Sequence, residues 1–323
     1  VRAALREEGK DAEIALWPAG MLAQTLNESS INPLGSISKK TAILCNESGK
    51  YAIYDSDRYG FNNIDSVWDN DYVDWLLLGD SMVVGSCVEP SKNIGYSMIA
   101  ERSQTLLNLG APGNGPLRQM ASLIEYGAQY RPKTVLWFFF EENDLADDLP
   151  KELRQPILLR YLLDGFTQNL ADKQLDIDRF LQTQIAREIN NRGSISRGLF
   201  SLLTLRKFRG LIGFDVRPFK IDPLFDKILS RSNQIVSQWG GELIFVYLPS
   251  YERYSNGLAA RHLARPEIKK RVAGLGIRSI DVHDAIISKN IDPLSFFPFR
   301  MTGHYNEKGY RFVAEEILSV LAD

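Results

Sequence analysis

Leu76-Leu77-Leu78-Gly79-Asp80-Ser81 is an apolar run that stops abruptly at a Gly-Asp-Ser turn, and its reading decides the fold. With Asp74 and Trp75 ahead of it, residues 74–78 read as a short buried strand, which Gly79 has the backbone freedom to break. Ser81 then sits just past the C-terminal end of that strand, where open α/β sheets place their ligands. A serine there is a candidate nucleophile. The competing reading is a plain loop, because Asp and Ser in turns hydrogen-bond their own backbone.

The rest of the chain weighs against the plain loop. Asn108-Leu109-Gly110-Ala111-Pro112-Gly113 follows a second apolar run, Thr105-Leu106-Leu107. Glu141-Glu142-Asn143-Asp144 follows a third, residues 134–140, and Thr302-Gly303-His304-Tyr305-Asn306 lies near the C-terminus. Ser, Gly, Asn and His occur in that order, three of them directly after expected strands. In these stretches, which span most of residues 74–321, the chain resembles the SGNH (GDSL-type) hydrolases. The resemblance implies a flavodoxin-like three-layer α/β/α sandwich around a central parallel sheet. It also implies Ser81 as nucleophile, His304 as general base, and an oxyanion site built from the Ser81 and Gly113 N–H groups and the Asn143 amide. Gly110, in the same turn as Gly113, is the alternative donor.

The 323 residues, 44% of them hydrophobic, supply ample core material for one large α/β domain with an insertion or for two small domains. A net charge of −2 gives no electrostatic footprint for nucleic acid, and that class is dropped. No run approaches 18 apolar residues, so no membrane-spanning helix is expected. The chain opens on Val1 in a polar stretch, as a fragment or processed form would, so no compartment is assigned. Cys45 and Cys87 are too few for a disulfide framework, and two reduced, buried thiols are at least as expected as one bridge.

Residues 1–70 read as an aromatic-bearing leader that packs on the core, followed by the hydrolase-like domain at 71–323. From residue 74, strand and helix patterns alternate, with further strands expected at 242–248 and 277–280 and a last helix near 307–321. Strands separated by helices argue for a parallel sheet covered on both faces. A long helical insertion, about 145–241, leaves from the active-site edge as a candidate lid or substrate wall. Within it, 192–214 carries Arg192, Arg197, Arg206, Lys207 and Arg209 among many apolar residues. This stretch is expected to pack in a lid or partner interface and not on an anionic membrane.

A serine hydroxyl needs a base within hydrogen-bond reach, and histidine is the usual one. The chain has three. His262 lies in a basic helical stretch and is expected to face solvent. His283 follows the fifth strand between Asp281 and Asp284 and is a competitor. His304 stands two residues before the last helix, where the resemblance places the base. Two positions depart from the family. Glu142 stands where many members have Gly before Asn-Asp. Met301 stands where Asp-x-x-His would put the orienting acid, which leaves His304 without a sequence-local carboxylate. Asp292, the nearest upstream aspartate, reads as a turn or cap. The leading functional reading is a serine esterase hydrolysing O-acyl esters, O-acetyl on carbohydrate among them, with no cofactor and no metal. The alternatives are an O-acyltransferase on the same site and a catalytically silent carbohydrate-binding or assembly protein.

Overall fold

The computed structural model describes residues 1–21, 31–100, 102–194, 220–255 and 260–322. Ahead of the first expected strand lies a small sheet that the turn-rich leader does not announce. In it β1 (Ala12–Ile14) pairs in parallel with β2 (Thr41–Ile43), which pairs antiparallel with β3 (Ile53–Asp55). Each strand is three residues long, too short for its periodicity to rise above the turn residues around it.

The main sheet has five strands: β4 (Trp75–Leu78), β5 (Leu106–Asn108), β6 (Thr134–Phe140), β7 (Glu242–Leu248) and β8 (Arg278–Asp281). They are all parallel, in the order β5-β4-β6-β7-β8. Counted from the first strand of this sheet, the order is 2-1-3-4-5, the flavodoxin-like arrangement. All seven residues of β6 are buried, which explains why this strand reads as an unbroken apolar run instead of alternating. The two faces still separate by the period of two. Leu76, Leu78, Trp137, Phe139, Phe245 and Tyr247 pack on one side, and Trp75, Leu77, Leu136, Phe138, Ile244 and Val246 on the other.

Helices cover both faces. Among them, in chain order, are α1 (Ser81–Val84), α2 (Ile94–Ile99), α3 (Pro116–Ser122), α4 (Gln174–Ser194), α5 (Leu224–Ser237), α6 (Arg265–Gly274), α7 (Val282–Ser288) and α8 (Glu307–Ala322). Apolar residues of α3, α4, α5 and α6 join the first core, and those of α1, α2, α7 and α8 join the second. In α8, Tyr310, Val313, Ala314 and Ile317 form the buried stripe. The architecture is thus a three-layer α/β/α sandwich with a central parallel sheet.

Between β6 and β7 the described part of the insertion returns to the body of the protein. The side chain of Arg118, buried in α3, donates to Pro33 O (2.9 Å) and to Asn32 Oδ1. Gln155 and Gln168 of the insertion bind the same Asn32. Asp178 of α4 accepts from Ser38. Most of 192–214 lies outside the described residues. Among the described residues no helix is long and apolar enough to cross a membrane.

Candidate active site

The strand order reverses between β4 and β6, and the loops after β4, β5 and β6 carry the candidate residues. Such a switch point is where open sheets leave a crevice for ligands. Ser81 is the first residue of α1. Asp80 caps that helix by accepting from the Met82 N–H at 2.9 Å, and Gly85 ends it in the left-handed region at φ 81°. Gly79 is needed for room: a Cβ there would meet Val83 Cγ2 at 2.3 Å. It is not among the residues with positive φ, so close packing and not backbone freedom explains this glycine. At the first helical position the Ser81 N–H has no intrahelical acceptor and stays available to a ligand.

His304 Nε2 lies 2.9 Å from Ser81 Oγ. The imidazole's other nitrogen, Nδ1, lies 2.9 Å from Glu47 Oε1, and the His304 backbone N–H donates to Glu47 Oε2 at 2.8 Å. The side chains of His304 and Glu47 are 27% and 29% exposed, so the pair sits at the mouth of the crevice. Burial pushes the Glu47 carboxyl up. The hydrogen bonds from His304 and the attraction of its imidazolium outweigh this and hold it below the ordinary value. The carboxylate missing at Met301 is therefore supplied from the loop between β2 and β3, more than 250 residues away in sequence. Thr302 turns away and donates to Glu252. Gly303 makes the approach sterically possible, since a Cβ there would lie 2.6 Å from Glu47 Oε2.

Cys45 and Cys87 form a disulfide, which corrects the expectation that reduced thiols are at least as probable. The bridge ties the Glu47 loop to the segment just after α1. Cys87 Sγ also lies 3.7 Å from His304 Nδ1. Glu47, Cys87 and His304 thus place one potential metal-ligand atom each within 4.8 Å of one another. The sulfur is bridged and is no thiolate, and the carboxylate and imidazole satisfy each other, so the donor chemistry does not fit a metal.

In the turn after β5, Gly113 adopts φ 80°, a conformation that favours glycine, and its N–H has no partner among the described residues. The Gly110 N–H is taken by Asn108 Oδ1 at 2.8 Å, and a Cβ at 110 would strike the Val84 backbone at 2.5 Å. Gly110 thus serves close packing, and Gly113 is the freer donor. Asn143, after β6, donates from Nδ2 to Asp80 Oδ2 (3.0 Å) and to Asp148 Oδ2 (2.7 Å). Its amide is therefore tied to the residue preceding Ser81, with both hydrogens engaged. Donation to a substrate oxygen requires releasing one of these two bonds. The Asp148 carboxyl is raised to about 6, chiefly by burial, with Lys151 opposing. Asp144 is fully buried and pushed well up, first by burial and then by the neighbouring Asp80 and Asp148 charges.

The other histidines stand apart. His283 Nδ1 lies 2.8 Å from the Tyr254 hydroxyl, and its flanking Asp281 and Asp284 pair with Arg265 and Lys269. His262 is buried, at 2% exposure, with Nε2 3.1 Å from Ser250 Oγ. This corrects the expectation of a solvent-facing residue: the imidazole points inward to a polar partner. Glu141 holds a loop, accepting from Ser250 N (2.7 Å) and Arg253 Nε (2.9 Å). Asp292 caps residues 293–296 by accepting from Leu294 N, and pairs with Arg300.

Sequence reasoning missed Glu47. It lies in a polar loop of an exposed segment, and nothing local marks it. The only signal was indirect: a Cys45–Cys87 bridge, had it been assumed, would have drawn residues 45–47 toward the region just after Ser81.

No family model matches the chain, and no curated protein matches it. Solved structures do resemble it. A member of the lipolytic protein G-D-S-L family from Veillonella parvula is 15% identical and aligns over 77% of this chain and 97% of its own, with a TM-score of 0.42. The lipase/acylhydrolase from Enterococcus faecalis is 14% identical over 76% and 94%, with a TM-score of 0.42. An acetyl xylan esterase, AlAXEase, is 12% identical over 76% and 98%, with a TM-score of 0.40. The chain is similar in structure to these G-D-S-L and esterase proteins at low identity, while its own strand order and layers make it a flavodoxin-like α/β/α sandwich.

Proposed function

We propose that the protein is a serine esterase that hydrolyses O-acyl esters through an acyl-enzyme on Ser81. One observation carries the reading: the hydrogen-bonded chain Ser81 Oγ–His304 Nε2, His304 Nδ1–Glu47, with both links at 2.9 Å, at the switch point of a parallel sheet. In this reading Glu47 fixes the tautomer that leaves Nε2 free to accept, and His304 takes the Ser81 proton as Oγ attacks the ester carbonyl. The N–H groups of Ser81 and Gly113 stabilise the oxyanion, joined by Asn143 once one of its two bonds is released. His304 then gives the proton to the departing alkoxide, and water repeats the sequence to release the acid.

Met301 at the usual aspartate position would suit a silent binding protein, and the Glu47 carboxylate beside His304 Nδ1 favours the enzyme over it. The test is a panel of acetylated saccharides and simple acyl esters with mass-spectrometric readout, using Ser81→Ala as control. Release of free acid by the parent and not by the variant supports the reading. Acyl transfer to a saccharide hydroxyl without free acid would favour the transferase, and no turnover of any ester would refute both.

A further inference from the structure

We propose that the Cys45–Cys87 disulfide is the positioning device for Glu47, so that the site is coupled through His304 only while this bridge is oxidised. The proposal rests on the catalytic reading of Ser81, His304 and Glu47 given above. Loop residues 45–51 close on themselves at the base, where Ala52 N–H donates to Cys45 O and Leu44 N–H to Ala52 O. Beyond that, Gly49 N–H meets Asn46 Oδ1 within the loop. Among the described residues, only two covalent, ionic or hydrogen-bonded links join this loop to the α/β body: the disulfide and the Glu47–His304 pair itself.

The second link cannot hold the loop alone. A part-exposed ion pair gains little over water, and ordering a seven-residue loop and a long glutamate side chain costs more than such a pair returns. The disulfide, two residues from Glu47, meets that cost in advance. It anchors at Cys87, which is itself 4% exposed and packed beside His304. Oxidised, the bridge presents the carboxylate at a high local concentration to both His304 donors. Reduced, the loop is free to exchange Glu47 for water.

Access favours the chemistry. Cys45 is half-buried at the foot of the exposed loop tip. Cys87 lines a cleft of about 110 Å³ with Tyr51, Glu89, Pro298 and Asn306. A dithiol reductant attacks one sulfur, passes two electrons and two protons to the pair, and leaves as its own cyclic disulfide, with Cys45 and Cys87 as thiols.

The experiment compares oxidised protein, protein reduced with dithiothreitol, and the Cys45→Ser/Cys87→Ser double variant, all below the onset of thermal unfolding. Ester turnover and the downfield Nδ1–H proton resonance of His304 are measured for each. The expected result is a kcat at least tenfold lower in the reduced and serine forms, with KM within twofold. The Nδ1–H resonance is lost, and reoxidation restores the reduced wild type. In a Glu47→Gln background, reduction should change kcat less than twofold, because the positioned group is already gone. Equal resonance and equal kcat in oxidised and reduced wild type would overturn the proposal, as would a further tenfold loss on reducing Glu47→Gln, which would mark the bridge as a general structural clamp. Inactivity of the oxidised protein with a redox-sensitive resonance would refute the esterase reading while upholding the positioning of Glu47.

Discussion

Replacing Glu47 by glutamine alters the charge and one atom's hydrogen-bonding sense while keeping the shape. His304 presents two donors to this carboxylate, its backbone N–H at 2.8 Å and Nδ1 at 2.9 Å. An amide has one accepting oxygen, so its NH2 must face one of those donors. If the oxygen keeps the backbone N–H, Nδ1 must accept from the amide, and the imidazole proton moves to Nε2, where it faces Ser81 and cannot take the serine's proton. The lost charge adds to this. For a part-exposed pair the carboxylate stabilises the imidazolium by about 1 kcal/mol, or about fivefold in rate. The tautomer penalty takes the expected loss to about a thousandfold or more, in line with the cost of the corresponding acid-to-amide change in Ser-His-Asp enzymes. The assay is kcat and KM for 4-nitrophenyl acetate and for the best natural ester, with KM expected within a few-fold because Glu47 does not touch substrate. A Glu47→Gln enzyme within tenfold of the parent would refute Glu47 as the orienting acid.

Three further outcomes follow from the geometry. Gly303→Ala places a Cβ 2.6 Å from Glu47 Oε2 and should lower kcat tenfold to a hundredfold, by order of magnitude, with little change in Tm; an unaffected kcat would show that the carboxylate has room to spare. Asn143→Ala should cost about a hundredfold in kcat if its amide serves the oxyanion, and an unchanged rate would confine Asn143 to its link between Asp80 and Asp148. Stability should fall as pH rises from about 4 to about 7, because burial lifts the carboxyls of Asp57 and Asp148 to about 6. A raised folded-state pKa adds stability that is complete below the unfolded value near 4 and is lost through 6, by up to about 3 kcal/mol for each group. Asp148→Asn should flatten part of that slope in urea titrations, and a slope identical to the parent's would contradict the assignment.

What the sequence disclosed follows from how local each signal is. β6 and β7 were legible because six consecutive apolar residues in each, 135–140 and 243–248, fit a strand buried on both faces. Ser81 and His304 were legible because a strand-end turn and a helix start are punctuated by Gly, Asp and Asn. The structure brings them to 2.9 Å. The three-residue strands of the small sheet carried no usable period. Glu47 was illegible for a different reason. Its partner is set by a disulfide and a glycine gap at 303, both facts of tertiary contact that no window of sequence contains. His262 was misjudged because charged neighbours in sequence do not say where one inward-pointing ring ends.

The central claim is that Ser81 is an activated nucleophile within the Ser81–His304–Glu47 chain. Stoichiometric treatment with a fluorophosphonate, followed by intact mass and peptide mapping, tests it most directly. The account predicts one adduct per chain, on Ser81, formed at a rate that falls at least a hundredfold in His304→Ala. An unlabelled Ser81 in folded, oxidised protein, or an adduct on another serine, would contradict it.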